Sequence, residues 1–181
     1  PADGVVVGIG EIAEETDPTR TRQCAIVGYD YTVLAGTQGH QGYRKVTRML
    51  TVAEQLKLPV ILFAEGGGGR AGETDGLNAF GLDTPTFRTM ARLSGLVPMI
   101  GLVSGRCFAG NAALVGCCDV VMATRASSLG MGGPAMIEGG GLGVYEPHEI
   151  GPMDVQVPNG VVDLPVADEA EAVAVAKQYL S

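Results

Sequence analysis

Two short, wholly apolar runs each break into a glycine-rich loop, and a helical pattern follows each loop. Val60–Ala64 (VILFA) runs into EGGGGRAGE (Glu65–Glu73), and Met99–Val103 (MIGLV) runs into SGRCFAGNA (Ser104–Ala112). Apolar runs of five residues, bounded by turn residues, read as strands buried on both faces. Helical patterns precede and separate them. Tyr43, Val46, Leu50 and Ala53 recur at helical spacing between Gln41 and Leu58, ahead of Pro59. A second helix is expected from Thr84 or Pro85 to Ser94, with Thr84 as cap and Pro85 in the first turn. A third runs through Ala112–Cys118 into a strand at Asp119–Ala123. Residues 43–123 therefore alternate helix and strand, which predicts a parallel sheet layered with helices.

Ahead of this unit, Gly4–Ala13 and Cys24–Tyr31 carry β-branched residues on either side of a polar loop, Glu14–Gln23, and read as an antiparallel pair. Thr32–Gly42 reads as a loop. Residues 125–160 have little periodicity. Val161–Leu164 is a candidate strand, and Asp168–Leu180 is a helix with acidic residues at its N-terminal end.

Composition narrows the function classes. Glycine accounts for 28 of 181 residues, clustered rather than at every third position, so a collagen-like chain is excluded. Hydrophobic residues make up 46%, enough for a sizeable core. A net charge of −8 leaves no basic face for a nucleic acid. No apolar run reaches membrane-spanning length, so no membrane association is expected. The cysteines at 24, 107, 117 and 118 form no CxxC pair. They read as buried thiols of a cytoplasmic protein, and no metal is expected. The chain opens on Pro1 rather than Met and is expected to be a piece of a longer protein.

A strand, a glycine run and a helix start together make an anion site, because backbone N–H groups there lack partners. The first loop has no GK[ST], so it is not a P-loop. Its Gly67, Gly69 and Gly72 match G-x-G-x-x-G, but no acidic residue follows at the distance a dinucleotide site needs. Ser104 sits in no nucleophile elbow. The remaining reading is that both loops direct N–H donors at one oxyanion, such as a thioester enolate. Gly68, Gly69, Ala109 and Gly110 are the candidate donors. The alternative is that these residues only make tight turns.

Five blocks, in order, carry a resemblance. They are ADGVVVGIG, YDYTVLAGTQG, EGGGGRAGE, GRCFAGNAALVGCCDVVMA and GPMDVQVPNGVVDLPVADEAEAVAVAKQYL. Together they resemble the N-terminal half of the carboxyltransferase of biotin-dependent acyl-CoA carboxylases, within the crotonase superfamily. Four departures stand out. Ala109 replaces one Gly of a Gly-Gly pair, and Asn111 follows where the family has Ala or Gly. Gln156 stands where the family usually has His. Ala113 stands where crotonase hydratases carry a catalytic Glu.

The resemblance implies one α/β domain over residues 1–181, a crotonase-like spiral of ββα units that binds coenzyme A. It implies transfer of a carboxyl group from carboxybiotin to the α-carbon of an acyl-CoA, through an enolate held by the oxyanion donors. Biotin would sit on a separate carrier domain. The expected partners are a C-terminal carboxyltransferase half, a biotin carboxyl carrier domain and a biotin carboxylase, in a homo-oligomer. The isolated segment is expected to be inactive, with apolar faces exposed, including that of the last helix (Val173, Val175, Ala176, Leu180). Arg70, Arg44, Lys45 and Arg106 are the candidates for the CoA phosphates. A loop-holding ion pair is the alternative for Arg70, and a solvated helix face for Arg44 and Lys45. Tyr145, His148 and Gly139–Gly143 are candidates to shape an acyl pocket. The alternative functions are a stand-alone crotonase hydratase, isomerase or decarboxylase, and a non-catalytic CoA-binding or assembly module.

Overall fold

A computed structural model describes residues 3–13, 19–70, 72 and 85–181. The cap expected at Thr84, the Glu73 end of the first glycine loop and most of the turn after Ala13 lie outside them. Strands β1 (Val5–Ala13) and β2 (Thr21–Tyr29) pair antiparallel, Val5 opposite Tyr29 and Ala13 opposite Thr21. From β2 onward the sheet is parallel. It continues through β3 (Val60–Phe63) and β4 (Met99–Val103) to β6 (Val120–Thr124), with β8 (Leu164–Val166) at the far edge. The helices between these strands are α1 (His40–Leu56), α2 (Pro85–Leu93) and α3 (Gly110–Val115); α6 (Glu169–Leu180) closes the chain.

The apolar runs are buried on both faces because the sheet is covered on both faces. Val60, Leu62, Met99, Val103, Val121 and Ala123 share one core with Leu50 and Ala53 of α1, Met90 and Leu93 of α2 and Leu114 of α3. Their alternate neighbours Ile61, Ile100, Leu102 and Met122 share a second core with Ala172, Ala176 and Leu180 of α6. Helix α6 therefore lays its apolar stripe on the sheet. This corrects the expectation of an exposed apolar face there: Ala176 and Leu180 are buried and Val175 packs on the same core. Helix α1 ends before Pro59 is reached. Lys57 adopts a left-handed conformation (φ 57°), and the Leu58 N–H donates to the Ala53 carbonyl, a C-terminal cap.

A second layer lies beyond the ends of the parallel strands. Strands β5 (Arg106–Phe108) and β7 (Ser128–Gly130) pair parallel, apart from the main sheet. Single-residue bridges extend this layer: Gly66 with Cys107, Gln38 with Gly69, and Ser128 with Pro152. The second glycine loop thus contains a strand that its sequence does not announce. Each crossing places one strand in the sheet, one short segment in the outer layer and then a helix, as the ββα expectation requires. Residues 131–160 add α4 (Pro134–Gly139) and α5 (Met153–Gln156), with a 3-10 turn at Pro147–Glu149.

The first strand is tied to α1 by charge. Lys45 Nζ lies 2.9 Å from Asp3 Oδ1 and donates to the Val5 carbonyl at 3.0 Å, and the Val5 N–H donates to the same Asp3 oxygen. Burial raises the Asp3 carboxyl, but Lys45 and the Val5 N–H outweigh it and hold the group below its ordinary value. A folded-state value below the unfolded one makes the pair's contribution full at neutral pH and loses it as pH falls through the folded value. Lys45→Met is therefore expected to cost about 1 kcal/mol at pH 7, a figure reduced for the half-exposed ammonium. The difference from the unsubstituted protein should begin to shrink as pH drops below about 4, the unfolded carboxyl value, and disappear only below the lower folded value. Urea unfolding of both proteins between pH 7 and pH 3 checks this; a gap that does not change with pH would assign Lys45 a role other than pairing Asp3.

Candidate functional site

At the C-terminal ends of β3 and β4 the backbone itself is the building material. Gly66 stands so close to the Gly36 carbonyl and to Asn111 Nδ2 that a Cβ on it would overlap both. A Cβ on Gly68 would lie 2.5 Å from the Ala109 Cβ and 3.0 Å from the Gly110 nitrogen, and Gly68 adopts φ +85°. Glycine at these two positions lets the loops after β3 and β4 touch backbone to backbone.

Two buried carboxamides hold the contact. Asn111, 0% exposed, accepts the Gly68 N–H at 2.9 Å and donates to the carbonyls of Glu65 at 3.1 Å and Gly36 at 3.4 Å. Gln38, 2% exposed, donates its backbone N–H to the Gly68 carbonyl at 2.7 Å and accepts the Arg70 N–H at 2.9 Å. Its side-chain Oε1 accepts from Tyr43 Oη at 2.8 Å, and its Nε2 donates to Tyr29 Oη at 3.4 Å. Burial pushes both phenols up, so both stay protonated hydrogen-bonding groups at neutral pH. Neither carboxamide is signalled by a motif. Asn111 stands out in the sequence only as a departure from the family pattern, and Gln38 lies within the YDYTVLAGTQG block with nothing there to single it out.

This network settles which candidate amides are spare. Gly68 gives its N–H to Asn111, and Ala109 gives its own to the Gly130 carbonyl at 3.1 Å. The reading of these two as oxyanion donors is thereby corrected: their N–H groups build the cradle. Gly69 and Gly110 have no acceptor among the described residues. The first intrahelical bond of α3 runs from Ala113 N–H to the Ala109 carbonyl, so the N–H groups at 110–112 precede the ladder. Gly110 is half-buried against Gln38, and Gly69 is exposed. Ala109 caps α3 at φ 51°, ψ −120°, a conformation that suits glycine.

The candidate phosphate-binding cations do not form one cluster. Lys45 is committed to Asp3. Arg70 Nε and Nη2 bind Thr37 at 3.2 and 3.0 Å, fastening the first glycine loop to the segment before α1. Arg44 on α1 and Arg106 on β5 are exposed and make no ion pair among the described residues. Glu65 turns its carboxylate toward Gly105, where burial first and then the charge of Glu169 raise it above its ordinary value. Burial also pushes the Cys107 thiol far up, which suits a packing residue. Gln156 fills the family's His position by donating to the Leu129 carbonyl. No group of three or more metal-ligating side chains occurs among the described residues.

Beyond Gly130 lies an apolar surface. Gly133 packs on Phe108, and α4 carries Met136 outward. Met131, Leu142 and Val144 are also exposed, Val144 to 78%. This segment is joined to the cradle through the Ala109–Gly130 hydrogen bond.

Comparison with known proteins shows the family and the fold. Residues 1–181 match the family described as carboxyl transferase domain. The chain is 32% identical over 189 residues to an uncharacterised carboxylase, YngE, of Bacillus subtilis, covering all of this chain and 35% of that one. It is 28% identical to the methylmalonyl-CoA carboxyltransferase 12S subunit of Propionibacterium freudenreichii, covering 100% of this chain and 33% of the subunit. Among solved structures, a single-chain, multi-domain long-chain acyl-CoA carboxylase superposes with a TM-score of 0.89 at 57% identity, over 99% of this chain and 18% of that one. The transcarboxylase 12S hexamer core with hydrolysed methylmalonyl-coenzyme A bound superposes at 0.80 with 26% identity, over 100% of this chain and 34% of that one. The chain spans about a third of the curated relatives it matches.

Adjacent glycines should respond differently to the same change. Gly68→Ala puts a methyl against Ala109 in a left-handed conformation and should cost about 2–4 kcal/mol. Gly69→Ala meets nothing within 4 Å and should stay within about 0.5 kcal/mol. Denaturant unfolding of the two variants checks this; equal losses would show that the loops do not touch as described. Ala109→Gly should stabilise by about 1 kcal/mol, because relief of the backbone exceeds the entropy glycine adds to the unfolded chain. A lowered melting temperature would contradict the strain.

Proposed function

The chain belongs to the carboxyl transferase domain family, and on that premise we propose that it is the acyl-CoA-binding part of a biotin-dependent acyl-CoA carboxylase acting on long acyl chains. The observation that carries the reading is the match over the whole chain combined with two spare amides, Gly69 and Gly110, at the junction of the glycine loops. The cradle is built from backbone and buried carboxamides, without an acid or base on α3. Ala113 is on that helix, and Gly133 precedes α4. A hydratase would need a carboxylate at one of these places, so charge stabilisation suits the site better than proton transfer to a double bond.

The chain's own part in the reaction follows from this. The thioester carbonyl lies against the Gly69 and Gly110 N–H groups. Negative charge grows on its oxygen as the α-proton leaves, and donors fixed in advance stabilise that charge without reorganising. Carboxylated biotin, when bound, would supply the activated carboxyl group: its N–carboxyl bond would break as the bond to the α-carbon forms, and the α-proton would pass to the biotin so released. The three lysines of this chain do not hold it: Lys45 pairs with Asp3, Lys57 caps α1, Lys177 is on α6, and none stands in a Met-Lys-Met sequence. The carrier, the biotin carboxylase and a second carboxyltransferase half therefore belong to other parts of the assembly in this reading. Arg44 and Arg106, exposed and without ion pairs among the described residues, are the cations proposed to meet CoA phosphates.

The long acyl chain is supported by the apolar surface next to the cradle and by the 57% identity to a long-chain acyl-CoA carboxylase. Met131, Met136, Leu142 and Val144 would cover it, each buried CH₂ contributing about 0.8 kcal/mol. The test is ATP-dependent fixation of labelled bicarbonate by the full-length carboxylase onto acetyl-, propionyl- and palmitoyl-CoA. The kcat/KM for palmitoyl-CoA should exceed that for acetyl-CoA by at least about tenfold, and Met136→Glu should narrow the gap. A preference for acetyl-CoA would overturn the long-chain assignment, and failure to label any thioester would overturn the carboxylase reading itself.

A further inference from the structure

A carboxamide sealed from solvent is expensive unless every polar atom is satisfied, and Asn111 spends its atoms entirely on backbone. It takes the Gly68 N–H and gives its amide protons to the carbonyls of Glu65 and Gly36. These three groups come from the first glycine loop and from the segment before α1, whereas Asn111 follows Gly110 on α3. One side chain therefore joins both loops that supply the proposed donors. We propose that Asn111 is a positioning residue for the carboxyl transfer, fixing the direction of the Gly69 N–H relative to that of Gly110. The inference rests on the functional reading above and adds to it a residue that touches neither substrate nor reacting atoms.

The geometry explains how a buried side chain sets an exposed amide. Gly68 is held on both sides. Its N–H is on Asn111, and its carbonyl accepts the Gln38 N–H at 2.7 Å. In a trans peptide the carbonyl and the following N–H point in opposite directions. With the Gly68 carbonyl turned to Gln38, the Gly69 N–H must point away from it. Glycine at φ +85° has many other conformations open to it, so the direction of the Gly69 N–H depends on both anchors. Loss of Asn111 frees one anchor and leaves a buried N–H and two carbonyls unpaired. No larger amide fits, because Gly66 already lies against Asn111 Nδ2. Aspartate has the right size, but its carboxylate would face two carbonyls.

The experiment uses the full-length carboxylase with Asn111→Ala and Asn111→Asp, reading kcat, acyl-CoA KM, the pH profile and the melting curve. Asn111→Ala should lower kcat by about tenfold or more, with KM changed by less than about threefold, since misdirected donors cost transition-state rather than ground-state binding. Asn111→Asp should show activity that falls as pH rises, because only its protonated carboxyl can donate to a carbonyl while accepting from Gly68. The unsubstituted enzyme should lack that dependence. A folded Asn111→Ala enzyme with kcat within about twofold of normal would overturn the proposal. If Asn111→Ala does not fold, an Asn111→Asp profile superimposable on the unsubstituted one would overturn it. An unsubstituted enzyme that transfers no carboxyl group would overturn the functional reading and this inference with it, whereas an active enzyme beside an equally active Asn111→Ala would overturn this inference alone.

Discussion

Backbone-to-backbone contact between the loops after β3 and β4 is the interaction on which the site depends. Gly66 meets Gly36 and Asn111, and Gly68 meets Ala109 and Gly110, at distances that leave no room for a Cβ. Such closeness is stable only if the polar groups it buries find partners. The outer layer supplies them one residue at a time, through Gly66–Cys107, Gln38–Gly69 and the β5–β7 pair. The parallel sheet sets where these loops emerge; the outer layer sets how they face one another.

The same scarcity of partners separates structural amides from spare ones. Four N–H groups in the two loops looked equivalent as donors. Two of them, Gly68 and Ala109, complete the cradle, which leaves Gly69 and Gly110 without acceptors among the described residues. A site made in this way carries little charge of its own. Arg70 is turned to Thr37, and Glu65 points its carboxylate toward Gly105 rather than among the spare amides. That suits the stabilisation of charge that appears only during reaction.

Much of the fold was legible because burial on two faces leaves a plain mark. Val60–Ala64 and Met99–Val103 could only be central strands, and the helical spacing of Val46, Leu50 and Ala53 located α1 to within two residues at each end. Strand β5 was not legible. Three residues in a glycine-rich loop have no period, and they are a strand only because Gly66 and β7 flank them. Residues 125–160 were opaque for the same reason: their elements are three to six residues long and take their shape from contacts. The location of the site was legible from the two glycine loops. Its wiring was not, since Gln38 and Asn111 lie within recognisable blocks that give no sign of what their side chains bind, and an amide's partner is a fact of three-dimensional arrangement. The cations show the same limit, because helical spacing exposed Lys45 on α1 but could not reveal that Asp3 would claim it.

Single-residue bridges constrain the count of residues as well as their size. Gly66 opposite Cys107 and Gln38 opposite Gly69 fix at two the number of residues, Gly67 and Gly68, between the two pairing points of the first glycine loop. One residue more or fewer there would rotate Gly68 out of reach of Asn111 while the sheet beneath remained intact. The length of this stretch is therefore as much a part of the site as the glycines in it.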